Sequence, residues 1–138
     1  MAGVALLEHT ADVGIIATGE TQGEALAWAA KGMFSIIVSL EDVQPRDSST
    51  IEVTSTDPET LAVDWLNELL YRYEVEDFLP SQFQVTVDES KTSLTATCFG
   101  ETFDPDRHHL LTSVKAATYH RLEVVHNGEW RIQVILDV

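Results

Sequence analysis

The chain has 138 residues, 44% of them apolar, which is enough for one domain spanning 1–138 with a core that needs no covalent staples. Acids outnumber lysine plus arginine 23 to 8, a formal net charge of −15. That balance argues against direct, tight nucleic-acid binding, which needs a basic footprint, and suits cations or a basic protein partner.

Residues 3–8 read as a short apolar strand, and "VGIIATG" (13–19) as another, closed by Gly19. Thr21-Gln22-Gly23-Glu24 has the capping-box pattern: the Thr21 hydroxyl can accept from a first-turn N–H while Glu24 reaches back. Apolar residues at 25, 26, 29, 30, 33, 34 and 37 then keep helical spacing, which predicts a helix from about 22 to about 38. "EDVQPRDSS" (41–49) is a polar loop, and "TIEVTST" (50–56) alternates as a strand with Ile51 and Val53 on one face. Asp57-Pro58 opens a second helix, an acid that can cap followed by a proline whose missing N–H is harmless there. Its apolar stripe at 62, 65, 66, 69, 70 and 73 carries it from 58 to about 75. "FQVTV" (83–87) and "SLTATCFG" (93–100) flank "DESKT" as a hairpin. After the polar loop "DPDRHH" (104–109), residues 114–125 and 130–138 form a second hairpin with Asn127-Gly128 as its turn signal. The order β-β-α-β-α-β-β-β-β gives a two-layer α+β fold, with two amphipathic helices on one face of a mixed or antiparallel sheet.

The lone Cys98 rules out an intrachain disulfide framework and a cysteine zinc site, and in "LTATCFG" it reads as a small buried apolar residue. The start lacks a basic n-region, and no run approaches the roughly 20 apolar residues of a membrane span. A cytoplasmic protein with no membrane partner is expected.

Two stretches hold unexpected polar residues. "EHTADVGI" places His9, Thr10 and Asp12 between two strand-like runs. Aspartate and threonine favour turns because they bond nearby backbone, and a lone histidine is more often structural than catalytic. "QVILDV" embeds Asp137 in apolar residues, with Val138 offering a second carboxylate if it is the chain's end. A part-buried acid needs a partner, hydrogen bonds or a metal. If the first and last strands lie side by side, Asp12 joins Asp137 in an oxygen-rich cluster suited to Ca²⁺, Mg²⁺ or Mn²⁺. Lys115 would be its counter-charge. Asp104, Asp106, His108 and His109 could ligate a metal, though a solvated loop accounts for them more simply. Trp65, Tyr71 and Tyr73 fall at helical spacing and suit a core or a partner surface. No nucleophile elbow, phosphate loop, dinucleotide fingerprint or zincin motif is present.

"EHTADVGI", "VDWLNELLYRYEVEDFLP", "GETFDPDRH", "VKAATYHRLEV" and the closing "VILDV" together resemble the archease family over nearly the whole chain. The resemblance implies an archease-like fold and a helper protein, not an enzyme. Archeases activate the RtcB-type RNA ligase of tRNA splicing and RNA repair, assisting its Mn²⁺-dependent guanylylation by GTP and its repeated turnover. It also implies a divalent cation, often Ca²⁺, held by Asp12, Asp137 and Val138, with Lys115 of "VKA" in the functional cluster and His9 beside it. The ligase, not this chain, would contact RNA. Two other readings stand beside this one: a general chaperone or adaptor whose acidic surface binds basic clients, and a metal-dependent hydrolase, against which the lack of a general base other than His9 argues.

Overall fold

The architecture is that of a computed structural model, which describes residues 2–8 and 12–138. The elements run β1 (Gly3–Glu8), β2 (Asp12–Gly19), α1 (Gln22–Ile37), β3 (Asp47–Thr54), α2 (Pro58–Glu76), β4 (Phe78–Val87), β5 (Ser93–Thr102), β6 (Ala116–Ala117), β7 (Glu123–Asn127) and β8 (Glu129–Asp137).

Both helices begin where their caps place them. The Thr21 hydroxyl accepts from the Glu24 N–H at 3.0 Å, and the Glu24 carboxylate accepts from the Glu20 N–H at 2.9 Å. Asp57 accepts from the Thr60 N–H at 2.7 Å, and Pro58 occupies the first turn of α2. Such caps satisfy N–H groups that a helix start otherwise leaves orphaned. α2 ends on Asp77 in the left-handed region, at φ 57°.

The α+β class expected from the sequence is the class found. The strands, however, divide into two antiparallel sheets instead of forming one. β1, β2, β8 and β6 lie side by side, with β7 also paired to β8, and β3, β5 and β4 make a second sheet. Both helices touch both sheets: α1 packs on β2 and β4, and α2 on β3, β4, β6 and β7. One core therefore serves the whole molecule, with Phe34, Trp65, Leu66, Ile15 and Leu136 fully buried in it. The Trp65 indole N–H donates to the Leu26 carbonyl at 2.9 Å, tying α2 to α1. Phe34 meets Tyr73 edge-on at 6.3 Å between ring centroids. α1 also presses so closely on β4 that a Cβ on Gly23 would lie 2.2 Å from the Val85 carbonyl oxygen.

Boundaries differ from expectation where local chemistry intervenes. β4 starts at Phe78 rather than 83, because Pro80 sits where the ladder slips register between Pro80 and Gln82. A proline at such an irregularity removes no ladder bond. The stretch 114–125 is not one strand. It pairs as β6, leaves the ladder over 118–122 with Arg121 at φ 51°, and returns as β7. The β7–β8 turn narrows to Gly128 at φ 83° between the paired residues Asn127 and Glu129. No helix among the described residues is long and apolar enough to cross a membrane.

Candidate functional site

β8 runs between β2 and β6, and its last rung brings the chain's two ends together. Asp137 is the register partner of Asp12 on one side and of Ala116 on the other. The cause is strand periodicity. Ile132, Val134 and Leu136 face the core, as do Ile15 and Ala17 on β2, so the alternate residues Asp137 and Asp12 face the other way together. Val138 turns back to pack against the core. Directly opposed residues on antiparallel strands hold their Cβ atoms about 5 Å apart. Asp137 is exposed and Asp12 half-buried. The exposed Lys115 joins them through its backbone N–H, which donates to the Asp137 carbonyl at 2.8 Å. His9 and Thr10 lie outside the described residues.

Among the described residues neither carboxylate accepts a hydrogen bond or forms an ion pair, and the Lys115 ammonium is likewise unpaired. Like charges directly opposed on a sheet repel. The pair is thus left with oxygen lone pairs free, which is the donor chemistry of a hard divalent cation. No group of three or more His, Cys, Asp or Glu side chains forms a metal cage among the described residues, so the two aspartates could furnish only part of an oxygen shell. A recess of about 60 Å³ adjoins Asp12, lined also by His120, Arg121 and Ile135. That volume holds an ion or a water or two; ligand pockets for small-molecule substrates run to several hundred Å³. Roomier concavities lie elsewhere, of about 400 and about 410 Å³ over the start of α1 and of about 540 Å³ beside Glu101, and touch none of Asp12, Lys115 or Asp137.

Sequence reasoning missed what holds β6 in place. β6 has only two residues, and its free edge is bonded by a side chain of α2. The Asn67 amide N–H donates to the Ala117 carbonyl at 3.1 Å, and the Ala117 N–H donates to the Asn67 carbonyl oxygen at 2.8 Å. The signal was present: Asn67 lies four residues after Val63 and three before Leu70, both buried, so it is an amide within an apolar stripe. Beyond β6, the Thr118 N–H and hydroxyl both donate to the Ile135 carbonyl, at 3.0 and 2.8 Å.

The other candidate loop is not a ligand set. His108 is buried, and both ring nitrogens are engaged. Nδ1 accepts from the Asp104 N–H at 2.8 Å, so Nε2 carries the proton and donates to Glu101 at 2.9 Å. Glu101 also accepts from the Gln44 N–H at 2.8 Å and pairs with Arg107. Burial pushes the Glu101 carboxyl up, but the hydrogen bonds from Gln44, His108 and Arg107 outweigh it and hold the group down at about 2. His109 and Asp106 are exposed. Of the helix aromatics, Trp65 is fully buried, Tyr73 packs on the core and Tyr71 is exposed. Cys98 is buried as expected, and burial pushes its thiol up to about 12.

The Archease protein family (MTH1598/TM1083) matches residues 5–138. The chain is 40% identical to the protein archease of Methanosarcina mazei over 136 residues, covering 96% of this chain and 93% of that one. It is 36% identical to the protein archease of Pyrococcus furiosus over 135 residues, covering 95% of each. The solution structure of Methanobacterium thermoautotrophicum protein 1598 superposes with a TM-score of 0.87 at 34% identity, over 99% of both chains. Kinship in sequence and in fold extends over both ends that meet at the last rung of β8, and this chain belongs to the archease family.

Proposed function

We propose that this chain is an activator of an RtcB-type RNA ligase, promoting the ligase's guanylylation by GTP and its repeated turnover in tRNA splicing or RNA repair. The observation that carries the proposal is the shared rung of Asp12, Asp137 and Ala116, with Lys115 bonded to its end. These are the positions at which the sequence matches the family's opening, "VKA" and closing motifs.

In this reading Asp12, Asp137 and Val138 hold a divalent cation, Ca²⁺, Mn²⁺ or Mg²⁺, at the end of β8. When bound, the ion supplies positive charge to the phosphate chemistry of the partner. Lys115 limits the negative charge of the pair when no ion is there. His9 belongs to the same motif, and the family resemblance makes it part of the proposed functional cluster. The net charge of −15 leaves contact with RNA to the ligase. The test is multiple-turnover ligation by the cognate ligase with GTP and Mn²⁺, with and without this protein, wild type beside Asp137→Ala. Stimulation by wild type alone is the expected result. An active ligase that wild type does not stimulate would displace this reading in favour of an acidic adaptor for basic clients.

A further inference from the structure

We infer that Asn67 is a positioning residue for the site at the end of β8, acting by holding β6 and with it the Lys115 N–H on the Asp137 carbonyl; the inference rests on the functional reading above. β6 is an edge strand of two residues, too short to stay paired by its own ladder. On one side it is joined to β8, through the Lys115 N–H to the Asp137 carbonyl and the Thr118 N–H to the Ile135 carbonyl. On the other side no strand follows among the described residues. The carboxamide of Asn67 takes that strand's place, donating to and accepting from the same residue, Ala117. A primary amide has the same donor and acceptor as a peptide group, so it can complete both free bonds of one strand residue at once.

The clamp comes from the middle of α2, which is anchored in the core by Trp65 and Leu66, the two residues just before Asn67. Lys115 is two residues from the clamped Ala117. Nothing else among the described hydrogen bonds ties the outer edge of Ala116–Ala117. Helix α2 thus transmits core rigidity to Lys115, the residue next to the rung that carries two acids.

The experiment compares wild type, Asn67→Ala and Asn67→Asp by amide hydrogen exchange and by stimulation of ligase guanylylation across a Mn²⁺ titration. Asn67→Ala is expected to speed exchange of the Lys115 and Thr118 amides about tenfold or more, while amides of β2 and α1 keep their wild-type rates. Neither probe amide touches Asn67, so a change there reports register and not a lost direct bond. Stimulation is expected to fall about tenfold, and adding Mn²⁺ is expected not to restore it, since both aspartates remain. Asn67→Asp keeps the acceptor for the Ala117 N–H and is expected to lie between. The inference is overturned if the two amides keep wild-type rates, if they loosen while stimulation stays at the wild-type level, or if both variants speed every amide equally. Should wild type itself fail to stimulate the ligase, the functional reading falls, and the exchange rates still decide whether Asn67 positions Lys115.

Discussion

Glu101, Arg107 and His108, at the end of β5 and in the loop that follows it, and Asp12, Asp137 and Lys115, at the end of β8, are similar inventories of acid, base and polar hydrogen-bonding groups. In the first, every group is used up. Glu101 takes three donors, His108 has both nitrogens bonded, and the carboxylate and imidazole are buried. In the second, two carboxylates stand opposite each other and Lys115 is tied to the rung by its backbone alone, with no side-chain bond joining them among the described residues. Saturated polar networks fix a fold, because removing one member strands the rest. Unsaturated like charges on an exposed rung do the reverse: they hold back local stability and leave coordination capacity for something that arrives from outside. The contrast is the ground for proposing function at the rung and structure at the loop.

Substitution should separate the two regions. Glu101→Ala leaves the Gln44 N–H, the His108 N–H and Arg107 without their acceptor, and is expected to lower unfolding stability by about 3 kcal/mol in a denaturant titration. Its stimulation of the ligase, per folded molecule, should match wild type. Asp12→Ala and Asp137→Ala should do the opposite. Stimulation is expected to drop about 10- to 100-fold, while stability stays within about 0.5 kcal/mol. Losing fold and stimulation together in the aspartate variants would mean that the rung, too, is a structural network.

The sequence made much of this legible, for definite reasons. Both helix starts were readable because capping is local chemistry: Thr21 and Asp57 do what their neighbours allow. The pairing of Asp12 with Asp137 was readable as a suspicion, since an acid after "VIL" has few places to go. The split of the strands into two sheets was not readable, because period-two alternation marks a face and is silent on the partner. Pro80 hid the first half of β4, as a proline argues against a strand unless a register slip excuses it. The loop 118–122 hid for a similar reason: "TYHRL" has strand propensity, and only the capture of the Ile135 carbonyl by Thr118 shows that the ladder breaks there. His108 read as a possible ligand because sequence shows residue type and not satisfaction. Asn67 was a polar residue in an apolar stripe, a mark visible beforehand and not followed.

A smaller effect tests whether the core that supports both regions is shared. Trp65→Phe keeps most of the buried ring and removes the indole N–H that bonds the Leu26 carbonyl. The expected loss is about 1 kcal/mol by thermal or denaturant unfolding, with stimulation unchanged. A fall in stimulation beyond the loss of folded protein would show that the α1–α2 contact reaches the rung.

The last effect appears only in acid. Glu101 titrates at about 2 in the folded protein, against 4.5 for the free side chain, so folding favours its ionised form. A depressed carboxyl adds stability in full above the unfolded value, and that stability drains away as pH falls through the folded value. Measured against Glu101→Gln, which carries no charge at any pH, wild type should keep a constant advantage from neutrality down to about pH 4.5. The gap should then narrow and close near pH 2. A gap that is flat across this window would mean that Gln44 and His108 hold the side chain by geometry alone, and that its charge contributes nothing to the network set against the open rung of Asp12 and Asp137.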